Sequence, residues 1–301
     1  MPSIKKLIKN PAKVVYILDK IGVSKIIPDS AYLKLKYKAN FEKKLNIKTP
    51  RTYNEKLQWL KLYDRKHEYT EMVDKYEVKK YVERRIGKEY IIPTLGVWDC
   101  VEDIDFSSLP NQFVLKCTHD SGGLIICNDK SKLNIEQAKS KLKKALKNKF
   151  YIYGREWPYK NVKPRIIAEK YMEDSTTGEL RDYKFFCFNG VAKALFIATD
   201  RQKADEEVKF DFFNMEFEHL DFRQGHPNSK KQIFKPITFD LMKKMAEKLS
   251  EGIPQVRVDF YEVDGKMYFG EITFFHHNGL VPFEPEEWDL TFGSWINLPQ
   301  K

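Results

Sequence analysis

The chain has 301 residues, of which 42% are hydrophobic and 32% charged. This balance excludes a disordered or low-complexity protein, and no apolar run comes near the length of about 18 residues that a membrane-spanning helix needs. The four cysteines form no CxxC pair, so we expect free thiols and no structural zinc site. The first residues lack an apolar leader with a cleavage site. These features together predict a cytoplasmic protein.

The net charge of +10 is concentrated near the N-terminus. Residues 1–50 hold 12 lysines and no arginine against Asp19, Asp29 and Glu42, a net charge of +9, which leaves +1 for residues 51–301. Three interpretations of residues 4–45 stay open: a solvated helical face, a surface for an anionic membrane, or a nucleic-acid patch. A segment with lysines but no arginine is poorly suited to recognise specific bases, so we predict no nucleic-acid partner.

Helical periodicity dominates the first 90 or so residues. An apolar stripe runs over residues 7–21, with Pro11 at a break or a helix start. Thr52 and Glu55 form a capping-box pattern, which predicts a helix that begins near Tyr53. A further helix is predicted over residues 71–85, ending at Gly87.

The pattern changes to strands after residue 90. Strands are predicted at 90–93, 95–98, 112–117, 166–170, 183–188, 192–198 and 208–213, with helices at 134–148 and 236–250 and a β-hairpin at 255–275. No repeat and no Gly/Ser-rich linker separates these elements. The sequence therefore predicts an α+β fold whose parts share a cleft.

The hairpin carries the most informative residues. Its turn signal is Asp264-Gly265. A three-residue loop would pair Asp259 with Glu271 and Arg257 with Thr273 on one face, whereas a two-residue loop would separate the carboxylates. Two adjacent carboxylates without His or Cys favour Mg²⁺ over zinc. A solvated face on which charges alternate with core residues is the other interpretation.

Two further segments contain residues that could take part in binding or catalysis. An apolar strand ends at Lys116 and leads into a small glycine-containing loop, whose backbone N–H groups could approach phosphate oxygens. A tight turn is the alternative there. Lys184 falls on the same strand face as Asp182, a pair that is more often structural than catalytic. His276 and His277 are expected at the mouth of the hairpin's cleft, and no serine or cysteine nucleophile motif is present.

Taken in order, these segments resemble the ATP-grasp superfamily and, more closely, the TupA-like ATP-grasp group associated with bacterial cell-surface polysaccharide synthesis. The matching segments are 54–64, 74–75, 91–93, 116–123, 169–171, 182–185, 257–260 and 270–274. The resemblance implies an ATP-grasp-type two-lobed nucleotide-binding fold. Its parts would be a basic helical segment at 1–70, a first lobe at 71–165 and a second lobe at 166–301.

The resemblance also implies an ATP site. Lysines at the positions of Lys75 and Lys116 contact ATP phosphates in such proteins, beneath the glycine loop, and Lys184 would lie near the same phosphates. The remaining implied nucleotide-binding residues are those of the loop and the adenine hinge: Ser121, Gly122, Gly123, Glu169, Lys170, Tyr171 and Met172. Glu169 would lie near the adenine and Met172 near the ribose.

Metal binding and catalysis are implied for the hairpin. Asp259, Glu271 and Thr273 would hold Mg²⁺, although the family usually has Asn where this chain has Thr273. Arg257, together with Lys184, would stabilise the phosphoryl group in transfer.

The implied reaction joins a carboxylate to an amine at the expense of ATP. It proceeds through an acylphosphate and would form an amide on a uronic acid or an amino acid in polysaccharide synthesis. The protein would work in the cytoplasm or at the inner face of the membrane, with residues 4–45 against an anionic membrane or an acidic polysaccharide. A glycosyltransferase that uses a nucleotide sugar and a non-catalytic binding module are the alternatives, and no clear DxD motif supports the former.

Overall fold

The computed structural model describes residues 9–175, 180–199 and 207–300. The described helices are α1 (Val14–Lys20), α2 (Asp29–Phe41), α3 (Tyr53–Tyr63), α4 (Glu68–Val73), α5 (Val78–Ile86), α6 (Ile135–Leu146), α7 (Phe150–Gly154), α8 (Phe239–Ser250) and α9 (Glu287–Ser294). Single 3-10 turns lie at Pro11–Lys13, Val23–Ile26, Lys88–Tyr90, Val101–Asp103, Lys130–Lys132, Trp157–Asn161 and His276–Gly279.

The described strands are β1 (Thr94–Trp98), β2 (Phe113–Cys117), β3 (Leu124–Cys127), β4 (Ile166–Lys170), β5 (Asp182–Phe188), β6 (Val191–Thr199), β7 (Lys209–Phe213), β8 (His219–Leu220), β9 (Arg223–Gln224), β10 (Gln255–Val263), β11 (Lys266–Thr273) and β12 (Phe283–Glu284). They pair antiparallel in three sheets, with the orders β1-β4-β2-β3, β11-β10-β5-β6-β7-β8 and β12-β9. The predicted α+β class is confirmed.

Local sequence signals set the ends of several helices. Helix α3 begins at Tyr53, where the Thr52 hydroxyl accepts from the Glu55 N–H at 3.2 Å and the Glu55 carboxylate accepts from the Thr52 N–H at 3.2 Å. This is the predicted capping box, which satisfies donors that a helix start leaves unpaired. The side chain of Asn134 caps α6 in the same way by accepting from the Gln137 N–H.

One predicted helix and one predicted strand differ from the structure. The helix expected over 71–85 is divided into α4 and α5 at Asp74, whose carboxylate accepts from the N–H groups of Tyr76 and Glu77. That local hydrogen bonding competes with the helix and starts a new one. The strand expected at 90–93 is absent, since a 3-10 turn ends at Tyr90 and β1 begins at Thr94.

Three hydrophobic clusters organise the fold. The first joins α3, α4, α5, α8 and α9 to the six-stranded sheet. The second lies between α6 and the four-stranded sheet, and the third holds α1 against α2. Within the described ranges, no helix combines the length and apolar character needed to cross a membrane. The two larger sheets thus each have a helical layer of their own, and a cleft opens between them.

The hairpin of β10 and β11 turns through two residues. Val263 pairs with Lys266, which leaves Asp264 and Gly265 as the loop, both at positive φ (50° and 72°). Positive φ at both central positions is the type I′ geometry that Asp-Gly favours. The three-residue loop on which the predicted pairing depended is therefore wrong.

The predicted pairing is nevertheless present, because a β-bulge near Gly270 shifts the register by one residue. Beyond the bulge Asp259 pairs with Glu271 and Arg257 pairs with Thr273. A side chain at Gly270 would put its Cβ 3.0 Å from the Asp259 carbonyl oxygen. The lack of a side chain at this position therefore allows the close approach that brings the two carboxylates to one face.

We expect Gly270→Ala to lower the free energy of unfolding by about 1–2 kcal/mol, since the added methyl group overpacks the bulge. Urea denaturation followed by circular dichroism measures this change. Gly122→Ala is the matched control, because its Cβ would stand at an ordinary 3.5 Å from the Asp120 carboxylate. Equal stability of the two variants would contradict the steric role of Gly270.

Candidate nucleotide-binding site

The cleft between the two sheets has a charged part and an apolar part. The charged part is lined mainly by Lys75, Lys79, Lys116, Asp120, Ser121, Gly123, Glu169, Asp182, Lys184, Tyr261 and Glu271. The apolar part adjoins it and is lined by Ile92, Val114, Leu124, Ile126, Lys170, Tyr171, Met172, Leu180 and Ala198. Lys75, Lys116, Glu169, Lys184 and Glu271, which come from distant parts of the sequence, therefore line one continuous space. The predicted residues Gly122, Arg257, Asp259 and Thr273 are not among its lining residues.

Lysines crowd the charged part, and Glu169 neutralises two of them. Its carboxylate oxygens lie 2.5 Å from Lys116 Nζ and 2.6 Å from Lys79 Nζ. Burial raises the pKa of Glu169, but the charges of Lys116 and Lys79 outweigh burial and lower the pKa below its usual value. The side chain expected near the adenine is thus held between two lysines in this structure.

Lys75 has no carboxylate within ion-pair distance among the described residues. Its Nζ donates to the Asp120 carbonyl oxygen at 2.9 Å, and burial lowers its pKa. Its backbone N–H donates to the Thr118 carbonyl at 3.1 Å, which ties the α4–α5 junction to the end of β2. Lys75 is therefore an ammonium group fixed beside the glycine loop and open to an anionic ligand.

The glycine loop is held by Asp120, whose carboxylate accepts from the Gly122 N–H at 2.7 Å and from the Asn148 amide at 3.1 Å. Gly123 has a packing reason to be glycine, since a Cβ there would lie 2.5 Å from Cys117 Sγ and 2.8 Å from Ala145 Cβ. Close approach to a phosphate, the reason inferred from the sequence, is therefore not needed to explain this glycine.

Arg257 links the hairpin residues to one another. Its Nε and Nη2 donate to the two carboxylate oxygens of Asp259, each at 2.7 Å. Nη2 also lies 3.0 Å from Glu271 Oε1 and 3.0 Å from Thr273 Oγ1. A bidentate guanidinium–carboxylate pair of this kind is strong and fixes geometry. Arg257, Asp259, Glu271 and Thr273 therefore form one connected group, as their predicted shared face requires.

Lys184 completes this group from the neighbouring strand β5. Its Nζ lies 2.5 Å from Asp259 Oδ2 and 3.4 Å from an oxygen of Asp182. Asp259 is fully buried, so its charge is compensated by Arg257 and Lys184 rather than by water. The predicted pair of Lys184 and Asp182 is present, but the shorter contact is with Asp259.

Glu271 is the carboxylate that faces the cleft, with 41% of its side chain exposed. Desolvation raises its pKa, but the charges of Lys184, Arg257, Lys75 and Lys116 together lower it to about 2. It therefore stays ionised at any physiological pH.

Of the three predicted Mg²⁺ ligands, Glu271 fits a metal held jointly with phosphates. Among the residues described, no three His, Cys, Asp or Glu side chains are placed to hold a metal ion. Mg²⁺ is commonly bound by one or two carboxylates plus substrate phosphates, without an all-protein cage. Glu271 offers an accessible carboxylate for that role, whereas both oxygens of Asp259 already accept from cations.

Some residues at the site had no clear signal in the sequence. Lys79 lies four positions after Lys75, and this spacing on the expected helix could have suggested it. His276 was expected at the cleft mouth but is 1% exposed, and its Nδ1 lies 2.8 Å from Arg257 Nη1. Burial, followed by the nearby His277 and Arg257, lowers its pKa well below the usual value. His276 is therefore a neutral hydrogen-bond acceptor for Arg257.

A second buried group lies beside the 3-10 turn after β11. Lys61 of α3 donates from Nζ to the Asn278 carbonyl at 2.8 Å and to the Gln58 side chain at 3.2 Å. Burial lowers the pKa of Lys61 and raises that of Glu156, and the two charges attract each other. Neither residue was singled out from the sequence, because their partners come from distant segments.

Two antiparallel sheets flank a lysine-lined cleft that suits an anionic ligand. A sequence profile of the family described as TupA-like ATPgrasp matches residues 55–297, so the chain belongs to that family. The resemblance inferred from the motifs is confirmed, and membership supports an ATP-dependent ligase. A search of curated protein sequences gave no significant match.

Solved structures of ligases show a distant likeness to the chain. D-alanine–D-alanine ligase from Helicobacter pylori is 14% identical, with a TM-score of 0.44, and the match covers 81% of this chain and 69% of that one. L-amino acid ligase from Bacillus licheniformis is 10% identical, with a TM-score of 0.44, and the match covers 84% of this chain and 55% of that one. D-alanine–D-alanine ligase from Bacillus anthracis complexed with ATP is 16% identical, with a TM-score of 0.40, and the match covers 67% of this chain and 55% of that one. The chain thus covers less than two thirds of the last two structures.

We expect Asp259→Asn to lower the free energy of unfolding by about 3 kcal/mol, because it leaves Arg257 and Lys184 buried without their shared charge. Glu271→Gln is the matched comparison and is expected to cost no more than about 1 kcal/mol, since its side chain is partly solvated. Urea denaturation of both variants tests the difference. Equal losses would show that Asp259 has no special role in holding the two cations.

Proposed function

We propose that the protein is an ATP- and Mg²⁺-dependent carboxylate–amine ligase that acts through an acylphosphate. The observation that carries the proposal is the position of Lys75, Lys116 and Glu271 around one cleft, with Arg257 directly behind Glu271. Such a site gathers positive charge where phosphates bind and a carboxylate where a phosphate-bound metal binds.

The chemistry requires no covalent enzyme nucleophile. An oxygen of the substrate carboxylate attacks the γ-phosphorus of ATP, the bond to the bridging oxygen breaks, and ADP leaves. The amine then attacks the carbonyl carbon of the acylphosphate, phosphate leaves with the bonding electron pair, and the nitrogen loses a proton to give the amide. In-line positioning and charge neutralisation lower the barrier of the phosphoryl transfer.

We assign the phosphates of ATP to Lys75, Lys116 and the loop of Ser121, Gly122 and Gly123. Lys75 gives the strongest support for this assignment, because its ammonium group donates to a neutral carbonyl oxygen and its charge can therefore interact with a phosphate. Lys116 would exchange part of its contact with Glu169 for a phosphate oxygen. Bound Mg²⁺ would supply charge neutralisation of the phosphates, and Glu271 would hold it, with Asp259 and Thr273 behind it.

We assign the adenine to the apolar part of the cleft. The residues that line it include Lys170 at the end of β4, Tyr171 and Met172 after it, and Tyr261 and Ala198 of the six-stranded sheet. Half-buried aromatic and aliphatic side chains suit a flat base, and backbone groups that leave the sheet after Lys170 can hydrogen-bond its edge. Glu169 would orient the neighbouring lysines rather than the base itself.

Arg257 and Lys184 are the proposed catalytic groups. Both are held by Asp259, and His276 accepts from Arg257 on its other side. Their side chains are therefore pre-oriented, so little reorganisation is needed when charge develops on the phosphoryl group in transfer.

The wider setting is part of the proposal. The lobes would divide at 71–165 and 166–301 behind an N-terminal segment of residues 1–70, of which 1–8 lie outside the described residues. Strand β4 at the start of the last range pairs with β1 and β2, so it would belong with the sheet of the first lobe. The substrate would be a uronic acid or an amino acid in cell-surface polysaccharide synthesis, joined in the cytoplasm or at the inner face of the membrane. Residues 4–45, of which 4–8 are not described, would contact an anionic membrane or an acidic polysaccharide.

A non-catalytic binding module is the second candidate. The observation that favours it is Asp259, which is fully buried and accepts three hydrogen bonds from Arg257 and Lys184, so that little acceptor capacity is left for a metal in this arrangement. A module of this kind would bind its partner without turning over ATP.

Thermal unfolding with Mg²⁺ and a non-hydrolysable ATP analogue tests the nucleotide site. A ligand at a hundred times its Kd adds about 2.7 kcal/mol, which corresponds to a rise in Tm of roughly 5 °C. We expect this rise for the wild type and its loss in Glu271→Gln, because the metal loses its ionised ligand. Glu284→Gln, which changes an exposed glutamate paired with Arg223, is the control and is expected to keep the rise.

The other outcomes separate the alternatives. Stabilisation by UDP-sugars alone would replace the ligase with a glycosyltransferase. Stabilisation by the analogue without Mg²⁺ dependence, together with no release of phosphate from ATP in the presence of candidate carboxylates and amines, would favour the binding module.

A further inference from the structure

Apolar side chains are exposed along α1 and the 3-10 turn Val23–Ile26 that follows it. We call the group of Val14, Ile21, Val23 and Ile26 the apolar tip. All four are exposed, and Ile21 and Ile26 show 63% and 83% of their surface. Single exposed apolar residues are common on proteins, but four within thirteen positions need an explanation.

The backbone that carries the apolar tip is anchored to the rest of the fold. Val15 of α1 is fully buried against Tyr32 and Leu33 of α2. Asp19 of α1 forms a buried ion pair with Lys36 of α2 at 2.6 Å and accepts from the Tyr32 hydroxyl at 3.1 Å. The outward face of α1 is therefore the result of a specific packing arrangement on its inward face.

Positive charge surrounds the apolar tip. Residues 9–28 contain four lysines, and Asp19 is the one acidic residue in this range. Asp19 is paired with Lys36 of α2, so it does not neutralise the lysines of this range. Lys20 and Lys25 are exposed, and Lys25 Nζ lies 3.7 Å from where a Cβ of Gly22 would be, beside the turn of the apolar tip.

We infer that the apolar tip inserts into the interface of an anionic lipid membrane, with Lys20 and Lys25 against the headgroups. Moving exposed aliphatic side chains into the acyl boundary lowers the free energy, and the negative surface potential attracts the lysines beside them. An acidic polysaccharide would satisfy the lysines but has no apolar phase for Ile21 and Ile26. Aliphatic side chains together with lysines therefore favour an anionic membrane over an acidic polysaccharide as the partner.

This inference narrows the partner named in the proposed function but is independent of the reaction. Vesicle binding needs neither ATP nor an acceptor, so its failure and the failure of the ligase are seen in different experiments.

Co-sedimentation of the full chain with lipid vesicles tests the inference. The vesicles contain phosphatidylcholine with about one third phosphatidylglycerol, and pure phosphatidylcholine vesicles serve for comparison. We expect binding to the anionic vesicles that weakens at high salt. The double variant Ile21→Glu/Ile26→Glu is expected to lose at least about tenfold in affinity, because it removes inserted apolar area and adds repelled charge.

Ile237→Glu is the matched control. Ile237 is 86% exposed but lies far from the apolar tip in the sequence, ahead of α8, so this variant is expected to bind like the wild type. Lys20→Gln/Lys25→Gln is expected to weaken binding to the anionic vesicles by about tenfold and to leave the thermal unfolding temperature unchanged.

Three results would overturn the inference. They are no binding of the wild type to anionic vesicles, undiminished binding of Ile21→Glu/Ile26→Glu, or an equal loss in Ile237→Glu. Binding of a soluble polyuronate that the isoleucine variant retains, without vesicle binding, would assign the lysines to an acidic polymer instead.

Discussion

The buried ion pair between Arg257 and Asp259 is the interaction on which the candidate site depends. Asp259 has no exposed surface, and its two oxygens accept from Arg257 and Lys184. A buried carboxylate is tolerated only when its charge is compensated and its hydrogen bonds are made. The same pair fixes the guanidinium so that its Nη2 reaches Glu271. The stability of the six-stranded sheet and the geometry of the site are therefore coupled through Asp259.

The electrostatics of the cleft are arranged in layers. Asp259 balances Arg257 and Lys184 in the six-stranded sheet, and Glu169 balances Lys79 of α5 and Lys116 of β2. Lys75 and Glu271 add one positive and one negative charge beside the open space. That pair suits a ligand that combines phosphate oxygens with a divalent cation, because each charge then meets its opposite.

Local chemistry allowed much of the fold to be predicted. The capping box at Thr52, the cap at Asn134 and the alternation of β2 all depend on residues within a few positions of each other. The hairpin residues of the candidate site were also identified, because alternation places Arg257 and Asp259 on one face. The loop length was wrong, and the pairing was recovered only because a bulge at Gly270 offsets the missing loop residue.

The sequence by itself determined which residue types are available, where most elements begin and end, and which side chains share a strand face. Only the tertiary structure decided which polar groups are paired: Glu169 with Lys79 of α5, Asp259 with Lys184 of β5, and Arg257 with His276. The reason is physical. Caps and alternation are set by neighbours along the chain, whereas ion pairs and burial depend on distances between segments that the sequence does not encode locally.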